Sequence, residues 1–492
     1  MSDASPLILG IDQGTSATKA ILVDFSGQIV ARGSEAVGEF RPQPGWVEQD
    51  PEEIWRSVQA AVAQCVAEYD VQAIRAVGLS VQRESAMLWW RETGKPVAPL
   101  LSWQDRRTTD LCDRLRTEAV EALVQTRTGL PLDPMFSACK MSWLLDRYDK
   151  DRRLSRAGKL CLGTVDSWLL FKLSGAHMTE PGSASRTQLL DIWRVAWDDE
   201  LLALFDIPRA TLPEIRPSAG ELAQARGLAP LPETTPVMAV MGDSHAALFA
   251  HGADHLNPVK VTYGTGSSIM GLVKTPEDLA DGLCLTIGWQ MEDVCWAAEG
   301  NIRAAGATLR WVSDLLQRPV DEIADLAARS DSQGVVLVPG FNGLGAPWWD
   351  DKAVGLITNL SFAVGAGNLA RAAFEAVVQQ VADVVASIQH RTTIQSIFAD
   401  GGPSRNEALM QLQADLLGIP VICSDTAELS ARGVVEMAGL ASGFWNQSQW
   451  RSLKRQHKIY TPRMEAQARQ ALRAHWLAAI ERARFQPTHQ KS

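Results

Sequence analysis

The sequence LGIDQGTSATKAILVD, residues 9–24, places two apolar runs on either side of a polar turn. The first run extends from Leu7 to Ile11 and the second from Ala20 to Val23. Short apolar runs separated by a glycine-containing turn indicate a buried β-strand and its hairpin partner. Successive backbone N–H groups in such a turn can bind an anion, although an ordinary β-turn has the same composition. The stretch therefore predicts a hairpin with an anion-binding tip.

The second half of the chain repeats this arrangement. Lys260 to Tyr263 is strand-like, residues 264–268 read GTGSS, and Ile269 to Val273 resumes the apolar run. The repeat is short, but two such hairpins indicate two similarly built domains. Elsewhere, apolar runs alternate with helix-period stretches, one of which begins with Asp50 as N-cap and Pro51 at its first position. The 492 residues therefore predict an α/β fold with two large domains or three smaller ones.

A third element lies further along the chain. The strand that ends at Ala399 leads into Asp400-Gly401-Gly402, and a helix follows. The pattern predicts a capping box of Ser404 and Glu407 at the start of that helix, and Gly418 at its end. A Gly pair between a buried strand and a helix N-terminus leaves bare backbone N–H groups, which suits a nucleotide phosphate.

Composition excludes several classes of protein. Hydrophobic residues make up 46% and charged residues 21%, which is typical of a globular protein, and the net charge of −10 argues against a nucleic-acid or anionic-membrane partner. The seven Cys include no CxxC pair, which favours free thiols in a reducing compartment. Because strand-like sequence begins close to the N-terminus and no apolar run reaches the ~18 residues that a membrane span needs, we expect neither a signal peptide nor a membrane span. These features predict a cytoplasmic protein.

Two aspartates suit phosphoryl transfer to an alcohol. Asp12 ends the first strand, and Asp243 follows the apolar run Val237 to Val240. Such a reaction needs one carboxylate to accept the hydroxyl proton and usually another near Mg²⁺, although a lone strand-end Asp is more often a turn or cap residue. The chain has no Walker A pattern, no GxGxxG fingerprint and no protein-kinase HRD or DFG motif. A nucleotide would therefore bind in another way.

Further polar residues could bind an acceptor. Gln82-Arg83-Glu84 follows an apolar strand and could bind vicinal hydroxyls, although a solvated bend would look similar. Among 17 Trp, Trp103 is a candidate substrate platform. The closely spaced His245, His251 and His255 match no zinc spacing, so we expect them to be structural.

Taken together and in order, these motifs resemble those of the FGGY carbohydrate kinases, and of the glycerol kinases within that family. The similarity includes GWVEQDPEEIW, SVQRES, SWQDRRT, DPMFSACKMSWLLD, SASRTQLLDI, GDSHAALFAHG, TYGTGSS, AAEGNIRAAGATLRW and DGGPSRNEALMQLQADLLG. Individually the GTG and DGG pieces are weak. Together, the motifs follow the order found in the family across nearly the whole chain, and this makes the resemblance specific.

The resemblance implies two ribonuclease-H-like domains of the actin and sugar-kinase type around a central cleft, with Mg-ATP as phosphoryl donor. We place the acceptor and base in residues 1–248 and the nucleotide in residues 249–492. By matching positions, Asp243 would be the general base, and Asp12 with Asp243 would hold Mg²⁺. The acceptor would contact Gln82, Arg83, Glu84 and Trp103. The implied nucleotide-binding residues are Thr15, Ser16, Gly264, Thr265, Gly266, Gly306, Arg310, Gly401, Gly402 and Asn406.

Four positions depart from the glycerol-kinase pattern. Met135 stands where Tyr is typical, Ser244 where Gln is typical, and Ser268 where Phe is common. Arg310, near the nucleotide, replaces a usual Gln. The first three line the acceptor pocket by the same matching, so we expect a roomier pocket that takes a longer polyol or a ketose.

Alternative functions stay open at this point. A xylulose- or ribulose-type ketose kinase of the same family is one, and a catalytically silent sugar-sensing relative is another. An actin- or chaperone-like ATPase is a third, although it would have no use for the acceptor cluster. Helices rich in Ala and Trp could form the face of a homodimer.

Overall fold

The computed structural model describes residues 5–252, 258–275, 282–389, 394–424, 426–453 and 457–485. The strands, in chain order, are β1 (Leu7–Gln13), β2 (Ala17–Asp24), β3 (Ile29–Ala36), β4 (Glu48–Gln49), β5 (Ile74–Val81), β6 (Met87–Trp90), β7 (Leu100–Leu101), β8 (Leu160–Gly163), β9 (Met178–Thr179), β10 (Leu190–Asp191), β11 (Ala196–Trp197), β12 (Glu214–Ile215), β13 (Ala219–Gln224), β14 (Pro236–Gly242), β15 (Val259–Tyr263), β16 (Ser267–Val273), β17 (Cys284–Gln290), β18 (Val294–Ile302), β19 (Val336–Val338), β20 (Leu356–Thr358), β21 (Ile397–Gly401), β22 (Val421–Ser424) and β23 (His457–Tyr460).

The α-helices, in chain order, are α1 (Pro51–Val66), α2 (Thr109–Leu115), α3 (Glu118–Thr128), α4 (Ser137–Tyr148), α5 (Arg153–Arg156), α6 (Val165–Ser174), α7 (Pro181–Ser185), α8 (Asp199–Leu204), α9 (Asp243–Ala250), α10 (Gly306–Leu316), α11 (Val320–Arg329), α12 (Ala366–Gln389), α13 (Glu407–Leu417), α14 (Leu429–Ala441), α15 (Gln447–Arg451) and α16 (Ala466–Arg484). None of the helices described is both long and apolar enough to cross a membrane.

The chain divides into two compact units. Unit 1 consists of Met1–Gly252, Leu285–Ala297 and Glu428–Lys454. Unit 2 consists of Ala253–Cys284, Ala298–Ala427 and Arg455–Ser492. The domain boundary predicted after residue 248 therefore falls close to the end of the first segment. Two later segments of the chain also belong to unit 1.

Unit 1 is built on a six-stranded sheet with the order β13-β14-β5-β1-β2-β3. The three strands β14, β5 and β1 are parallel neighbours, while β2 is antiparallel to β1 and forms the predicted hairpin with it. All but one of the seven residues of β1 are buried, as expected for a central strand covered on both faces. The predicted helix after Asp50 is confirmed, since the Asp50 side chain accepts a hydrogen bond from Glu52 N and Pro51 is its first residue.

Helix α14 explains why unit 1 needs a late segment of the chain. A Cβ on Gly78, in β5, would lie 2.2 Å from Val434 O of α14. A Cβ on Gly433, in α14, would lie 1.8 Å from Ala246 O of α9. Glycine is therefore required at both positions for α14 to approach the sheet and α9 this closely. Helix α14 thus supports the backbone of α9, which begins at Asp243.

Unit 2 contains most of a second sheet, whose order is β17-β18-β16-β15-β21-β22-β23. Strands β15 and β16 are antiparallel, so the second predicted hairpin is confirmed. Strand β21 pairs with β15 in parallel, and Tyr263 lies opposite Gly401. Both strands therefore end at the same edge of the sheet.

The predicted capping box is wrong. Residues Gly402–Arg405 form a 3-10 turn, and Ser404 Oγ donates to Gly401 O at 2.7 Å. Helix α13 begins only at Glu407, and its N-cap is Asn406, whose Oδ1 accepts a hydrogen bond from Leu409 N at 2.9 Å. An Asn side chain next to the first helical residue caps as well as Ser does, and the 3-10 turn moves Ser404 out of position. The predicted end of α13 at Gly418 is confirmed.

Candidate active site

Three parallel strands of unit 1 bring the predicted acceptor and catalytic residues to one edge of its sheet. Strands β1, β5 and β14 end at Gln13, Val81 and Gly242, so the residues that follow them meet at their carboxyl ends. In open α/β sheets this edge is where ligands bind. The residues placed here are Asp12, Thr15, Ser16, Gln82, Arg83, Glu84, Asp243 and Ser244.

The two aspartates influence each other. Asp12 accepts a hydrogen bond from Ser80 Oγ at 2.8 Å. Burial and, to a smaller extent, the nearby negative charge of Asp243 raise the pKa of Asp12 to about 6. Asp243 is the first residue of α9, and its Oδ1 lies 2.6 Å from Ser244 N and 3.4 Å from Arg83 Nε. Its side chain keeps 38% of its surface exposed, so it can be reached by a ligand.

Arg83 and Glu84 belong to a buried ion-pair network. Arg83 Nε lies 3.8 Å from Glu84 Oε1, which also accepts a hydrogen bond from Arg186 Nε at 2.6 Å. Glu84 has a φ of 56°, a left-handed conformation that is uncommon for residues other than glycine. This turn directs the chain out of β5 and into β6, which pairs with β8 in a different sheet. The residues Gln82, Arg83 and Glu84 therefore lie at a sharp turn and not in a solvated hairpin bend.

Gln82 has a different environment from its two neighbours. Its Nε2 donates to Gln49 Oε1 at 2.9 Å and to Gln13 Oε1 at 3.2 Å. The side chain is buried, and both amide hydrogens have protein acceptors. In this structure Gln82 organises the β1–β2 turn, where Gln49 Nε2 also donates to Thr15 O at 2.7 Å.

Trp103 and Met135 lie on two loops that reach this region. Trp103 is 39% exposed, and its Nε1 donates to Thr15 Oγ1 at 3.1 Å. Met135 is half-buried, and its carbonyl oxygen accepts a hydrogen bond from Lys140, whose pKa burial lowers to about 8. The Met135 loop is tied to the turn after Glu84 by Ser137 Oγ, which donates to Ser85 O at 2.8 Å.

The predicted phosphate-binding turn of unit 2 packs against the start of α10. Gly306 N donates to Gly264 O at 3.0 Å, and a Cβ on Gly306 would lie 2.5 Å from that oxygen. Arg310 Nη2 donates to Thr265 Oγ1 at 3.1 Å, so the structure brings Arg310 to the turn. A Cβ on Gly266 would lie 2.2 Å from Ile302 O, which leaves room there only for glycine.

The glycine pair after β21 lies beside the same turn. Gly401 has a φ of 90°, and a Cβ on it would lie 2.1 Å from Tyr263 O. Pro403, which follows the glycine pair, packs against the start of α10, since its Cγ would lie 3.8 Å from a Cβ on Gly306. The predicted nucleotide residues of unit 2 therefore form one group, in which the Oδ1 of Asn406 serves as the α13 cap.

Ser268 is the one predicted acceptor residue that belongs to unit 2. It lies in β16 of unit 2, and its Oγ donates to Glu299 Oε1 at 3.0 Å. The remaining acceptor residues all belong to unit 1. The hydroxyl at position 268 therefore has a protein partner in its own unit.

Sequence reasoning missed three buried residues around Arg83 and the Met135 loop, and it assigned a fourth, His245, only a structural role. Arg186 pairs with Glu84, and Lys140 donates to Pro134 O at 3.1 Å. His245 contacts Arg83, and Thr286 contacts His245. Their contacts join distant parts of the chain, so no local pattern indicates them. His245 had been expected to be structural, and its contact with Arg83 gives it a place beside the site. His251 is also buried, and His255 lies outside the described residues.

Comparison with known proteins shows the family to which the chain belongs. The N-terminal domain of the FGGY family of carbohydrate kinases matches residues 7–250, and its C-terminal domain matches residues 259–442. The apulose kinase of Pectobacterium atrosepticum is 40% identical over 98% of this chain and 99% of its own length. A glycerol kinase of Aromatoleum aromaticum is 41% identical over 97% of this chain and 98% of its own.

A solved structure shows the same fold. The crystal structure of Plasmodium falciparum glycerol kinase with ADP has a TM-score of 0.91 and 27% sequence identity, and it covers 98% of this chain and 99% of its own. Both halves of the chain thus match one family in sequence, and nearly its whole length matches in structure. The chain belongs to the FGGY family of carbohydrate kinases, phosphotransferases that act on an alcohol group.

Proposed function

We propose that this kinase transfers the γ-phosphoryl group of ATP to a hydroxyl of a small polyol or ketose, with Asp243 as general base. The observation that carries the proposal is the position of Asp243. It is a partly exposed carboxylate at the carboxyl edge of the unit 1 sheet, 3.4 Å from Arg83 and close enough to Asp12 to raise that residue's pKa. A general base needs such a place, within reach of a bound hydroxyl.

The residues of unit 1 divide the work on the acceptor. Asp243 accepts the proton of the reacting hydroxyl as the new O–P bond forms. Arg83 donates to acceptor oxygens, and Glu84 accepts hydrogen bonds from acceptor hydroxyls. The Arg186–Glu84 ion pair holds the Glu84 carboxylate in place, so the acceptor meets a pre-formed site. Trp103 and Met135 contribute apolar surface against the carbon chain.

The carboxylates suit a magnesium ion. The pKa of Asp12 is raised partly by the charge of Asp243, and a divalent cation would compensate both charges. Among the residues described, no group of three or more His, Cys, Asp or Glu side chains is arranged to hold a metal. Mg²⁺ commonly uses one or two carboxylates, with water and phosphate oxygens as the other ligands. We therefore propose that Asp12 and Asp243 hold Mg²⁺, which would neutralise charge on the transferred phosphoryl group.

The nucleotide is assigned to backbone-rich turns. By the resemblance to the family, Thr15 and Ser16 would contact the γ-phosphate, and the Gly264–Gly266 turn would contact the phosphates nearer the nucleoside. The glycines of unit 2 support this assignment because they let the turn, the start of α10 and the end of β21 pack closely together. A Cβ on Gly402 would meet nothing within 4 Å, so the backbone is open at that position. ADP in the Plasmodium falciparum relative supports ATP as the donor here. The nucleotide residues of unit 2 would be Gly264, Thr265, Gly266, Gly306, Arg310, Gly401, Gly402 and Asn406.

The acceptor itself is the finer part of the proposal. The apulose kinase and the glycerol kinase are 40% and 41% identical to this chain, so overall identity does not separate a ketose from glycerol. Position 135 has the flexible side chain of Met where Tyr is typical of glycerol kinases. Positions 244 and 268 have Ser, which is smaller than the Gln and Phe typical there. We propose a pocket that prefers an acceptor larger than glycerol.

An acceptor screen tests this. ADP release would be measured with ATP and a series that includes glycerol, erythritol, xylitol, D-xylulose, D-ribulose, apulose and D-fructose. We expect kcat/KM to be highest for an acceptor with four or more carbons, by at least roughly tenfold over glycerol, because the loss of a single hydrogen bond to glycerol would cost about that factor. A clear optimum on glycerol would refute the enlarged pocket but leave the kinase function intact. ATP hydrolysis that no acceptor stimulates would favour a silent or sensing relative.

Asp243→Asn tests the general base. The substitution keeps the size of the side chain but removes its capacity to accept a proton. We expect kcat with the best acceptor to fall at least about 100-fold. Binding of ADP without Mg²⁺, measured by calorimetry, should stay within about threefold of wild type. A mutant that turns over like wild type would show that Asp243 is not the base.

A further inference from the structure

The guanidinium of Arg83 is held by the stretch Gly242 to His245 on its inner side. A Cβ on Gly242 would lie 2.5 Å from Arg83 Cδ, so the absence of a side chain there makes room for the arginine stem. Asp243 Oδ1 lies 3.4 Å from Arg83 Nε. His245 Nε2 lies 3.3 Å from Arg83 Nη1. Three residues in one short stretch therefore surround one arginine.

His245 is itself fixed by a chain of hydroxyls. Its ring is fully buried, and its Nε2 lies 3.3 Å from Thr286 Oγ1. Thr286 Oγ1 is 2.9 Å from Ser185 Oγ, which donates to Gly182 O at 2.7 Å. These residues come from α9, β17 and α7, so three elements of unit 1 determine where the imidazole lies.

The chemistry of the contact fixes the state of the imidazole. A guanidinium has only donors, so the Nε2 that faces Arg83 Nη1 must offer its lone pair. This hydrogen bond therefore uses the tautomer that carries its proton on Nδ1. A hydrogen bond to a charged donor is stronger than one between neutral groups and limits the rotation of the guanidinium.

We propose that His245 is a positioning residue that sets the orientation of Arg83 for acceptor binding, and that the Nε2 lone pair is the group responsible. The inference rests on the proposed function, in which Arg83 binds the acceptor. His245 touches neither acceptor nor nucleotide in this scheme and acts only through Arg83. Its loss should therefore raise the acceptor KM much more than it lowers kcat, and it should not change the KM for ATP.

Three substitutions at position 245 separate this role from simple packing. His245→Leu fills much of the same space without an acceptor. His245→Gln can place its Oε1 near the position of Nε2, whereas His245→Asn has a similar amide that is too short to reach. With the acceptor of highest kcat/KM in the screen, we expect Leu and Asn to raise the acceptor KM at least about tenfold. We expect Gln to stay within about threefold of wild type.

The Gln and Asn pair keeps the test decisive if the Leu variant does not fold. Equal effects of Gln and Asn on acceptor KM, or a Leu variant with the wild-type KM, would overturn the proposal. His251→Leu is a matched control, because His251 is a second buried histidine at the end of the same helix. We expect it to leave the acceptor KM unchanged even if it lowers the melting temperature.

Arg83→Ala distinguishes failure of this inference from failure of the proposed function. We expect Arg83→Ala to raise the acceptor KM strongly, and His245→Leu to add little in that background, because the two residues act as a unit. If Arg83→Ala leaves the KM of every acceptor unchanged, the function proposed for Arg83 is wrong. If Arg83→Ala raises the acceptor KM and His245→Leu raises it by the same factor with or without Arg83→Ala, the two residues act independently. In that case only the role of His245 is wrong.

Discussion

Individual buried charges in unit 1 differ in whether they have a cationic partner. Glu84 pairs with Arg186, whereas the buried Glu180 is held by neutral donors. Its carboxylate accepts hydrogen bonds from Gly182 N at 2.7 Å and from Ser218 Oγ at 2.7 Å. Burial and, to a smaller extent, the charge of the neighbouring Asp166 raise the pKa of Glu180 to about 7. Glu180 therefore links the stability of unit 1 to pH.

The direction of this link follows from proton uptake. Between about pH 4.5 and pH 7 the folded protein keeps a proton on Glu180 that the unfolded chain has released. The contribution of Glu180 is therefore largest below pH 4.5 and is lost as the pH rises through 7. In the wild-type protein, the titration of Glu180 should lower the free energy of unfolding by roughly 3 kcal/mol across this pH window. We expect Glu180→Gln to lack this decrease. Urea unfolding at a series of pH values measures this.

Two comparisons make the pH experiment specific. Glu68→Gln removes an exposed carboxylate, and we expect it to leave the pH dependence of stability as in wild type. The Gln variant at position 180 loses one of the two carboxylate oxygens that accept hydrogen bonds, so its stability at low pH should also be lower. A Glu180→Gln variant with the wild-type slope would show that this residue does not carry the effect.

Single elements were predicted well wherever local chemistry determines them. The β1–β2 and β15–β16 hairpins and helix α1 follow from apolar runs, turn residues and the Asp50 cap, all of which lie next to one another in the sequence. The start of α13 was misplaced because Ser404 and Asn406 are both good caps, and only the 3-10 turn selects Asn406. Local signals thus give the presence of an element more reliably than its first residue.

The site was predictable to the extent that strand ends carry it. Asp12, the trio after Val81 and Asp243 could be found because each follows a short apolar run. The contacts of Arg186 with Glu84 and of His245 with Arg83 span 102 and 162 residues. No spacing rule reaches that far, so the residues that contact Arg83 and Glu84 from distant parts of the chain become visible only in the folded chain.

At the scale of the whole molecule, unit 1 is a product of three separated segments. Helix α14 packs against β5 and α9 at Gly78 and Gly433, where only hydrogen fits. The segment that starts at Leu285 supplies Thr286 behind Arg83, and Leu285 N donates to Gly129 O at 2.9 Å. Residues 1–252 alone would leave these surfaces uncovered.

We therefore expect a protein of residues 1–252 not to fold independently. Without α14, one face of β1 and β5 and the backbone of α9 would be exposed to water, and uncovered apolar surface on this scale favours aggregation or a loosely packed state. The fragment should show no cooperative thermal transition by near-ultraviolet circular dichroism, whereas the full chain should show one. Co-expression with residues 253–492 supplies both missing segments and should restore the transition. If the fragment melts cooperatively by itself at the temperature of the full chain, the segments Leu285–Ala297 and Glu428–Lys454 pack on unit 1 without stabilising it.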